Sequence, residues 1–439
     1  MTKKTYHLKK VAMVAYAFPP LNYSGTERPF QFAKHLPEFG YLPYILSQDN
    51  YINYHIVAND AEKLEQLNPK TIVYRLKTIK SQIEEILVIR WLDGKLKKIT
   101  GKVNIMSRVL FLPFKWSLGS YEWELRTLIK IIKLKFTKNL ELIWVTAPSW
   151  HNLMVGYWGS KITGLPFIVD LRDPLSYGVL WKPKSSAEAR KILNRQYKYL
   201  KQASKIIFTS PLTEKIYLSK YEDILKGKTN SITNGFDEDI FIKKHKYLKS
   251  DKFIISYIGR LTKGVRDPNF FLHGFDLACE NQEFASKVTL RMIGYMHDFI
   301  EELEAANKYY NIEIINVVPR DKSLEMMTES DVLIIIQSIS GEGADVISGK
   351  LFEYLNASKY IIGVVDEDGG DSWLIKQTDC GVVTGIKKPE QVSKALLSAF
   401  KLWKNKQLYS YPSRDYKQFR RRHLTESLAQ VLDDVLKAN

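Results

Sequence analysis

The stretch GRLTKG, residues 259–264, places two cations between glycines. Arg260 and Lys263 are three residues apart, and Arg266 adds a third cation shortly afterwards. The apolar segment KFIISYIG runs into this stretch, so we expect these side chains at the carboxyl end of a buried strand, where open parallel sheets bind ligands. Arg offers a planar fork of donors and Lys a mobile point charge, a combination that suits a diphosphate. The stretch therefore predicts a diphosphate site, with a solvated turn as the alternative.

A second stretch, GEGADVISGKLFEYL at residues 341–355, follows the apolar segment DVLIIIQS. Ser348 can cap a helix that begins at Gly349 and Lys350, and the unpaired N–H groups at such a helix start favour phosphate. Glu353, one turn into the helix, would repel that phosphate unless it faces a group with hydroxyls to donate. A ribose is such a group, so this stretch predicts a site for phosphate and ribose together.

Two further stretches have weaker interpretations. In the loop AFPPLNYSGTERP, Gly25 permits close backbone approach, so that a helix start can receive an anion or a sugar hydroxyl, although an ordinary strand-to-helix loop explains it equally well. The acids at 366–368 match a D-x-D pattern that can hold a divalent metal, but they lie in DEDGGDS, and we interpret them as a solvated turn. The eight histidines show neither metal-ligand spacing nor a Ser/His/Asp order, so we predict no metal site and no hydrolase.

Short apolar runs alternate with helix-length segments, six runs in each half of the chain. Continuous Val/Ile/Leu runs flanked by turn residues are typical of parallel strands buried on both faces, and their alternation with helices indicates doubly wound sheets. The predicted fold class is α/β with two such sheets, one in residues 1–240 and one in residues 241–410. Residues 411–439 carry apolar side chains at helical spacing, which predicts a C-terminal helix that needs a partner.

The composition is that of a two-domain globular protein. The chain has 439 residues, of which 45% are hydrophobic and 26% are charged. It contains two cysteines and no apolar run of the roughly 18 residues needed to cross a bilayer. We therefore predict a cytoplasmic protein without a disulfide framework or a thiolate metal site.

The net charge of +17 is concentrated in one region. Residues 75–138 carry 15 Lys and Arg against five acidic residues, a net charge of +10, interleaved with Ile, Leu, Phe and Trp. This mixture is expected of amphipathic helices that lie on an anionic membrane surface. We therefore hypothesise that the region binds the inner face of the cell membrane. A solvated basic face over ordinary core helices is the alternative. No recognition motif accompanies the charge, so we do not predict nucleic acid as a partner.

Six ordered segments together carry a resemblance that covers nearly the whole chain: AFPPLNYSGTERPFQFAKHLPEFGY, TAPSWHNLMVGYWGSKITGLPFIVDLRDP, ITNGFDEDIF, YIGRLTKGVRDP, VVPRDKSLEMMTESDVLIII and SGKLFEYLNASKYIIGV. The resemblance is to the retaining nucleotide-sugar glycosyltransferases of family 4, also called group 1, which have the GT-B fold. It implies two facing Rossmann-like domains, with the acceptor mainly on the first and the nucleotide-sugar donor mainly on the second. It also implies a C-terminal helix that crosses back from the second domain.

The resemblance assigns donor-side roles to single residues. Arg260 and Lys263 match the pair that neutralises the donor diphosphate, and Glu353 matches the acid that holds the ribose. The other implied positions are the backbone contacts to the base at Val318 and Pro319 and the sugar-facing loop at Gly25.

On the acceptor side, the resemblance places His151 and Asp173 near the acceptor or the sugar, with a core histidine as the alternative for His151. The family pattern has two Glu separated by seven residues, where this chain has Asp345 and Glu353. Asp345 keeps the spacing but shortens by one methylene a side chain that meets sugar hydroxyls in many family members. The resemblance implies that Asp345 contacts the donor sugar, and Asp345 is also the position at which this chain departs from the family pattern.

The implied function is transfer of a sugar from a nucleotide-diphosphate donor to a glycan or lipid-linked acceptor, in bacterial cell-surface polysaccharide synthesis and without a metal cofactor. Stabilisation of the leaving diphosphate by Arg260, Lys263 and the helix start would carry much of the catalysis, with His151 and Asp173 as the other catalytic candidates. Because no carboxylate is an unambiguous nucleophile, we hypothesise front-face attack with retention of configuration. Two alternatives stay open: a nucleotide-sugar epimerase of the same fold, and a degenerate transferase that binds a glycan or a partner without turnover.

Overall fold

The computed structural model of the chain describes residues 8–21, 24–49, 62–79, 81, 116–178, 181–237, 251–307, 310–408 and 416–439. More than half of the basic region 75–138 and the predicted domain boundary at 240/241 lie outside the described residues.

A parallel sheet forms the centre of the first domain. Its strands are β1 (Lys9–Val14), β2 (Tyr41–Gln48), β3 (Ile72–Leu76), β4 (Leu142–Ala147), β5 (Phe167–Leu171), β6 (Lys205–Phe208) and β7 (Thr229–Ser231). Within the described ranges these strands pair in the order β3-β2-β1-β4-β5-β6-β7. The helices are α1 (Ser24–His35), α2 (Glu62–Glu65), α3 (Trp116–Lys138), α4 (Trp150–Thr163), α5 (Ser186–Gln202), α6 (Pro211–Lys220) and α7 (Glu222–Leu225).

A second parallel sheet forms the centre of the second domain. Its strands are β8 (Phe253–Arg260), β9 (Val288–Tyr295), β10 (Ile312–Ile315), β11 (Val332–Ile336), β12 (Tyr360–Val364) and β13 (Gly381–Thr384), paired in the order β10-β9-β8-β11-β12-β13. The helices are α8 (Asn269–Cys279), α9 (Gln282–Lys287), α10 (Ile300–Asn307), α11 (Arg320–Glu329), α12 (Gly349–Asn356), α13 (Gly370–Thr378), α14 (Pro389–Lys404) and the C-terminal α15 (Arg421–Ala438). The predicted fold class, α/β with two doubly wound parallel sheets, is confirmed.

Both faces of the first sheet are buried, which explains why its strands read as continuous apolar runs. Along β1, Ala12 and Val14 pack with the helix layer of α3, α4 and α5, whereas Val11 and Met13 pack with the opposite layer. This alternation follows from the two-residue repeat of a strand. The sequence pattern does not predict β7, because Thr-Asn-Ser is short and polar and pairs only as the edge strand beside β6.

The C-terminal helix α15 returns to the first domain and supplies part of its second helix layer. Its buried side chains, Leu424, Leu428, Val431, Leu432 and Val435, join the same apolar cluster as α1 and β1. The turn before α15 also pairs with the segment that leaves the first domain. The N–H of Phe236 donates to the carbonyl of Phe419 at 3.0 Å, and the carbonyl of Phe236 accepts a bond from the N–H of Arg421 at 2.9 Å. A Cβ on Gly235 would lie 2.1 Å from the Phe419 oxygen, so this close approach requires glycine.

A buried ion pair connects α1 with β5. Arg28 and Asp170 are 2% and 0% exposed, and Arg28 places both Nε and Nη2 within 2.7–3.0 Å of the Asp170 carboxylate. The same guanidinium also donates to the carbonyls of Ile232 and Thr233 at 2.9 and 2.7 Å. One side chain therefore holds a helix, a strand and the chain segment that leads to the second domain.

The two domains also meet at Asp345, which is 4% exposed. Its Oδ2 accepts hydrogen bonds from Tyr177 Oη at 2.8 Å and from Thr213 Oγ1 at 2.5 Å, and its backbone carbonyl accepts one from Ser210 Oγ at 2.5 Å. All three donors belong to the first domain. Burial, together with the neighbouring Asp345 carboxylate, raises the pKa of Tyr177, so Tyr177 stays a hydrogen-bond donor over the physiological pH range.

We predict that Arg28→Met lowers the free energy of unfolding by about 3–5 kcal/mol, because it leaves the Asp170 carboxylate buried without its cation. Urea unfolding measures the change. The control is Lys226→Met, which breaks an i,i+4 pair with Glu222 whose side chains are 82% and 73% exposed and should shift stability by about 0.5 kcal/mol at most. Similar effects of the two variants would contradict the structural role given to Arg28.

We predict that Tyr177→Phe loosens the contact between the domains, because it removes a hydroxyl donor from a buried carboxylate, a bond worth about 1.5–3 kcal/mol. Hydrogen–deuterium exchange should become faster in residues 341–346. Tyr197→Phe is the matched control, since Tyr197 donates a similar bond to Asp223 at 2.7 Å on the surface. If exchange in residues 341–346 is the same in both variants, Asp345 does not tie the domains together.

Candidate functional site

A cleft of about 840 Å³ lies between the two domains, along the carboxyl ends of both sheets. The first domain lines it with residues that follow β1, β4 and β5. The second domain lines it with residues at the ends of β8 and β11 and with the start of α12. This is the position at which open parallel sheets bind ligands.

Cations of the second domain converge on the cleft: Arg260, Arg266, Arg320 and Lys350. The guanidinium carbon of Arg260 lies 4.4 Å from the centre of the Tyr295 ring, a cation–π contact that orients the side chain. Lys350 is open to the cleft. Partial desolvation there lowers the pKa of Lys350, and the nearby charges of Arg266 and Arg320 lower it further. Clustered cations on one wall attract an anion with several charges, such as a diphosphate.

Lys263 is not part of that wall, which corrects the placement expected from GRLTKG. Thr262 and Arg266 pair across a tight turn through N–H to carbonyl bonds of 3.2 and 2.8 Å. The turn puts Lys263 at its exposed tip, where its N–H donates to Asp298 Oδ2 at 3.4 Å. Arg266, three residues later, takes the position facing the cleft beside Arg260.

The start of α12 lies in the cleft wall through Ser348, Gly349 and Lys350. The expected cap by Ser348 does not form, because its Oγ donates to Asp371 Oδ2 at 2.7 Å and its N–H donates to Asp371 Oδ1 at 2.7 Å. Burial raises the pKa of Asp371 to about 6, although the bonds from Ser348 oppose the rise. In the part of the chain that the structure describes, no side chain caps this helix start, so its first N–H groups remain directed at the cleft.

Glu353 lines the cleft one turn beyond the helix start, with Arg320 Nη2 at 3.5 Å from its Oε1. Val318 and Pro319 lie immediately before α11 and are not in the cleft wall, whereas their neighbour Arg320 is. The structure therefore brings Glu353 together with the cations, and it places the two positions expected to meet a base next to the cleft rather than in its wall.

Asp345 does not line the cleft, which corrects the placement expected from the family pattern. Its carboxylate is occupied by Tyr177 and Thr213 of the first domain and by the N–H of Gly343 at 3.1 Å. The shorter side chain of Asp is held in the contact between the domains. The next residues of the same loop, Val346 and Ile347, do reach the cleft wall.

The first domain contributes Gly25, Arg172 and Asp173 to the opposite wall. Gly25 lies in the first turn of α1, and its carbonyl accepts a bond from Arg172 Nη1 at 2.6 Å. Asp173 is half-buried, and burial raises its pKa while the adjacent Arg172 lowers it. Gly25 and Asp173 therefore lie in a cleft wall opposite the cations, and their contact with a sugar or an acceptor stays a prediction.

His151 lies in the first turn of α4, at the margin of the same wall. Its neighbours Ser149 and Asn152 line the cleft, and its own ring contacts Tyr16, which also lines it, with ring centres 6.0 Å apart. The Nδ1 atom of His151 lies 2.5 Å from Glu124 Oε1 on α3. The side chain is 37% exposed, so it is not a core histidine.

Arg421 is a cleft residue that the sequence pattern does not predict. It is 8% exposed at the start of α15, and burial lowers its pKa to about 10 while Glu27 opposes the shift. The sequence offers three consecutive arginines at 420–422 but no indication of which one faces inward. The approach of Arg421 to the cleft depends on the pairing between the return segment and Phe236.

The acids at 366–368 form a turn, as interpreted from the sequence. Asp366 accepts bonds from the N–H groups of Asp368 at 2.9 Å and Gly341 at 3.2 Å, and Glu367 pairs with Lys388 at 2.5 Å. Among the described residues no group of three or more His, Cys, Asp or Glu side chains is arranged to hold a metal ion. No helix in the described ranges combines the length and apolarity needed to cross a membrane.

Sequence comparison finds no matching family model and no matching characterised protein. Structural comparison does find similar folds. Sucrose-phosphate synthase from Thermosynechococcus elongatus has a TM-score of 0.64 at 12% identity, covering 98% of this chain and 100% of that one. The E. coli trehalose-6-phosphate structure bound with UDP-2-fluoro glucose has a TM-score of 0.62 at 11% identity, covering 98% and 99%. WaaG, a glycosyltransferase involved in lipopolysaccharide biosynthesis, has a TM-score of 0.55 at 12% identity, covering 96% and 99%. These similarities show that the chain has the two-domain GT-B fold.

Proposed function

We propose that the protein is a glycosyltransferase that moves a sugar from a nucleotide-diphosphate donor to a glycan or lipid-linked acceptor. The observation that carries the proposal is the second-domain wall of the cleft. There Arg260, Arg266 and Lys350, the uncapped start of α12 and Glu353 lie together. A nucleotide sugar offers the matching groups, with two phosphates for the cations and helix start and a ribose whose hydroxyls can donate to Glu353.

This wall suits the chemistry of the leaving group. When the bond between the sugar and the diphosphate breaks, negative charge develops on the departing phosphate oxygen. Arg260, Arg266 and the N–H groups of α12 are already oriented toward the cleft, so they can stabilise that charge with little reorganisation. Because the protein supplies these charges itself, the proposal includes no metal cofactor.

The first-domain wall supplies the acceptor side. Its polar residues Gly25, Arg172 and Asp173 face the cations across the cleft, and His151 lies beside this wall between the lining residues Ser149 and Asn152. We extend the proposal to retention by front-face attack, which the resemblance to family 4 supports. WaaG, which has a similar fold, is a glycosyltransferase involved in lipopolysaccharide biosynthesis, and this similarity supports an acceptor of the bacterial cell surface.

The donor assignment predicts which nucleotide sugars bind. In a panel of UDP-, GDP- and ADP-sugars, one class should raise the Tm, since a ligand that binds the folded state stabilises it by mass action. Arg260→Ala and Arg266→Ala should each remove most of that rise, because each deletes a charge-assisted contact worth about 1.5–3 kcal/mol. Lys263→Ala is the matched control, and it should keep the rise because Lys263 lies outside the cleft wall.

Equal effects of Arg266→Ala and Lys263→Ala would contradict the assignment of the diphosphate to this wall. The same panel separates the alternative functions. Inversion of a sugar centre with donor alone would favour an epimerase, and stabilisation by a donor without transfer to any acceptor would favour a degenerate binding protein.

We also propose that the protein works at an anionic membrane surface, on the cytoplasmic side. Large apolar side chains are exposed along one face of α3: Tyr121, Leu125, Ile129 and Phe136, at 56–78% exposure. Their spacing of four and seven residues places them on one side of the helix, with the exposed Arg126 and Lys133 along the flank. Trp158 and Ile162 on the adjacent α4 are also exposed, at 45% and 54%. Apolar side chains flanked by cations match the interface of an anionic bilayer.

The membrane proposal predicts that the protein sediments with phosphatidylglycerol vesicles but not with phosphatidylcholine vesicles. The double variant Leu125→Ser with Phe136→Ser should bind at least about tenfold more weakly, because two apolar side chains no longer enter the interface. Val317→Ser, at a site that is 72% exposed in the second domain, is the control and should bind normally. If binding does not change with anionic lipid or with salt, the proposal is wrong and the α3 face is an ordinary solvated surface.

A further inference from the structure

Glu124 is a buried acid that the reaction described so far does not use. Its side chain is 5% exposed on the inner face of α3, and its Oε1 lies 2.5 Å from His151 Nδ1. Its second oxygen, Oε2, is buried and has no hydrogen-bond partner in the described part of the chain. Burial of a carboxylate costs free energy unless an N–H donor or a positive charge lies beside it. The His151 ring lies beside Glu124 and can supply that donor.

The contact with Glu124 determines which nitrogen of His151 can accept a hydrogen bond. A carboxylate accepts but does not donate, so Nδ1 must carry the hydrogen. The lone pair of the neutral ring is then on Nε2. Among the described residues Nε2 has no hydrogen-bond partner, and 37% of the side chain is exposed. The ring therefore presents an acceptor atom to whatever enters beside it.

Aromatic packing holds the ring at the margin of the cleft. Tyr16 meets Trp123 edge-on at 4.9 Å between ring centres, and it contacts the His151 ring at 6.0 Å. Trp123 is fully buried beside Glu124 on α3. The helix thus positions both the Glu124 carboxylate and the Trp123 ring against which Tyr16 packs. Of this group, Tyr16 lines the cleft, whose opposite wall carries the cations of the second domain.

We infer that Glu124 is a positioning residue that orients His151 so that Nε2 accepts a hydrogen bond from a hydroxyl of the acceptor. The inference rests on the proposed function and deepens it, because it names the acceptor-side group and the residue that aligns it. A sugar hydroxyl is the matching partner, since it can donate a hydrogen bond to Nε2. The nucleotide sugar is proposed to bind the second-domain wall, which leaves the first-domain wall for the acceptor. Glu124 acts through His151 and does not itself touch the acceptor.

The tautomer of His151 provides a test that needs no substrate. With histidines labelled by nitrogen-15, NMR of the full chain should show hydrogen on Nδ1 and a bare Nε2 in neutral His151, assigned by its absence in His151→Gln. Glu124→Gln can donate its amide hydrogen to Nδ1, so it should shift the ring toward the opposite tautomer. Hydrogen on Nε2 in the unmodified protein would overturn the inference.

Transfer kinetics provide the second test, with the donor identified from the panel and octyl glycosides as acceptor probes. Glu124→Gln should lower transfer about 10- to 100-fold, as expected when a partner that orients a histidine is lost. The rise in Tm with donor should be unchanged. Glu122→Gln, two residues earlier on the same helix and paired with Arg126, is the matched control and should transfer normally.

The outcomes separate the inference from the function on which it rests. Unchanged transfer in Glu124→Gln, with an active unmodified protein, would overturn the inference alone. Loss of the donor-induced rise in Glu124→Gln would also overturn it, because Glu124 would then support the donor site or the fold. Absence of transfer by the unmodified protein with every donor and octyl glycoside would count against the proposed function, and the tautomer measurement would still decide how Glu124 holds His151.

Discussion

The buried pair of Arg28 and Asp170 is the interaction on which the cleft depends. Its ends belong to α1 and β5, the two elements that place Gly25 and Asp173 in the first-domain wall. The same guanidinium bonds the carbonyls of Ile232 and Thr233, just before the chain crosses to the second domain. A buried charged pair is tolerated here because the guanidinium bonds the carboxylate through two nitrogens and two backbone carbonyls as well, and displacement of one partner would leave the other buried and unpaired.

The two domains are held around the cleft by backbone pairing and by polar contacts. On one side, Phe236 pairs with the segment before α15, and the close approach at Gly235 leaves no room for a side chain. On the other side, Asp345 accepts hydroxyl donors from Tyr177 and Thr213. These contacts place the start of α12 opposite the loops of the first domain. The position at which the family pattern has a sugar-binding acid is used here to join the domains.

Helix α3 has different roles on its two faces. Its inner face carries Trp123 and Glu124, which pack against Tyr16 and hold His151. Its outer face carries the exposed apolar side chains that we propose to meet a membrane, including Leu125 and Phe136. One helix thus connects the proposed lipid surface with the proposed acceptor side of the cleft. Such an arrangement suits an acceptor that reaches the site from the membrane.

The fold class follows from the order of apolar residues along the chain, because strands buried on both faces need continuous apolar runs and helices need apolar residues at helical spacing. Local order along the chain also located Arg260, Gly349 and Glu353, since the carboxyl ends of strands in a doubly wound sheet lie at one edge. A polar edge strand such as Thr229–Ser231 has no such pattern, and it exists only through its pairing with β6.

Which side chains face the cleft, and which partners they contact, depends on how the elements pack. The Thr262–Arg266 turn directs Arg266 inward and Lys263 outward, a distinction of three residues that spacing alone does not resolve. Arg421 reaches the cleft, Asp345 meets Tyr177, and Glu124 meets His151 through contacts between segments far apart in the chain. Such contacts depend on how the elements pack in three dimensions, and no local pattern of residues encodes that packing.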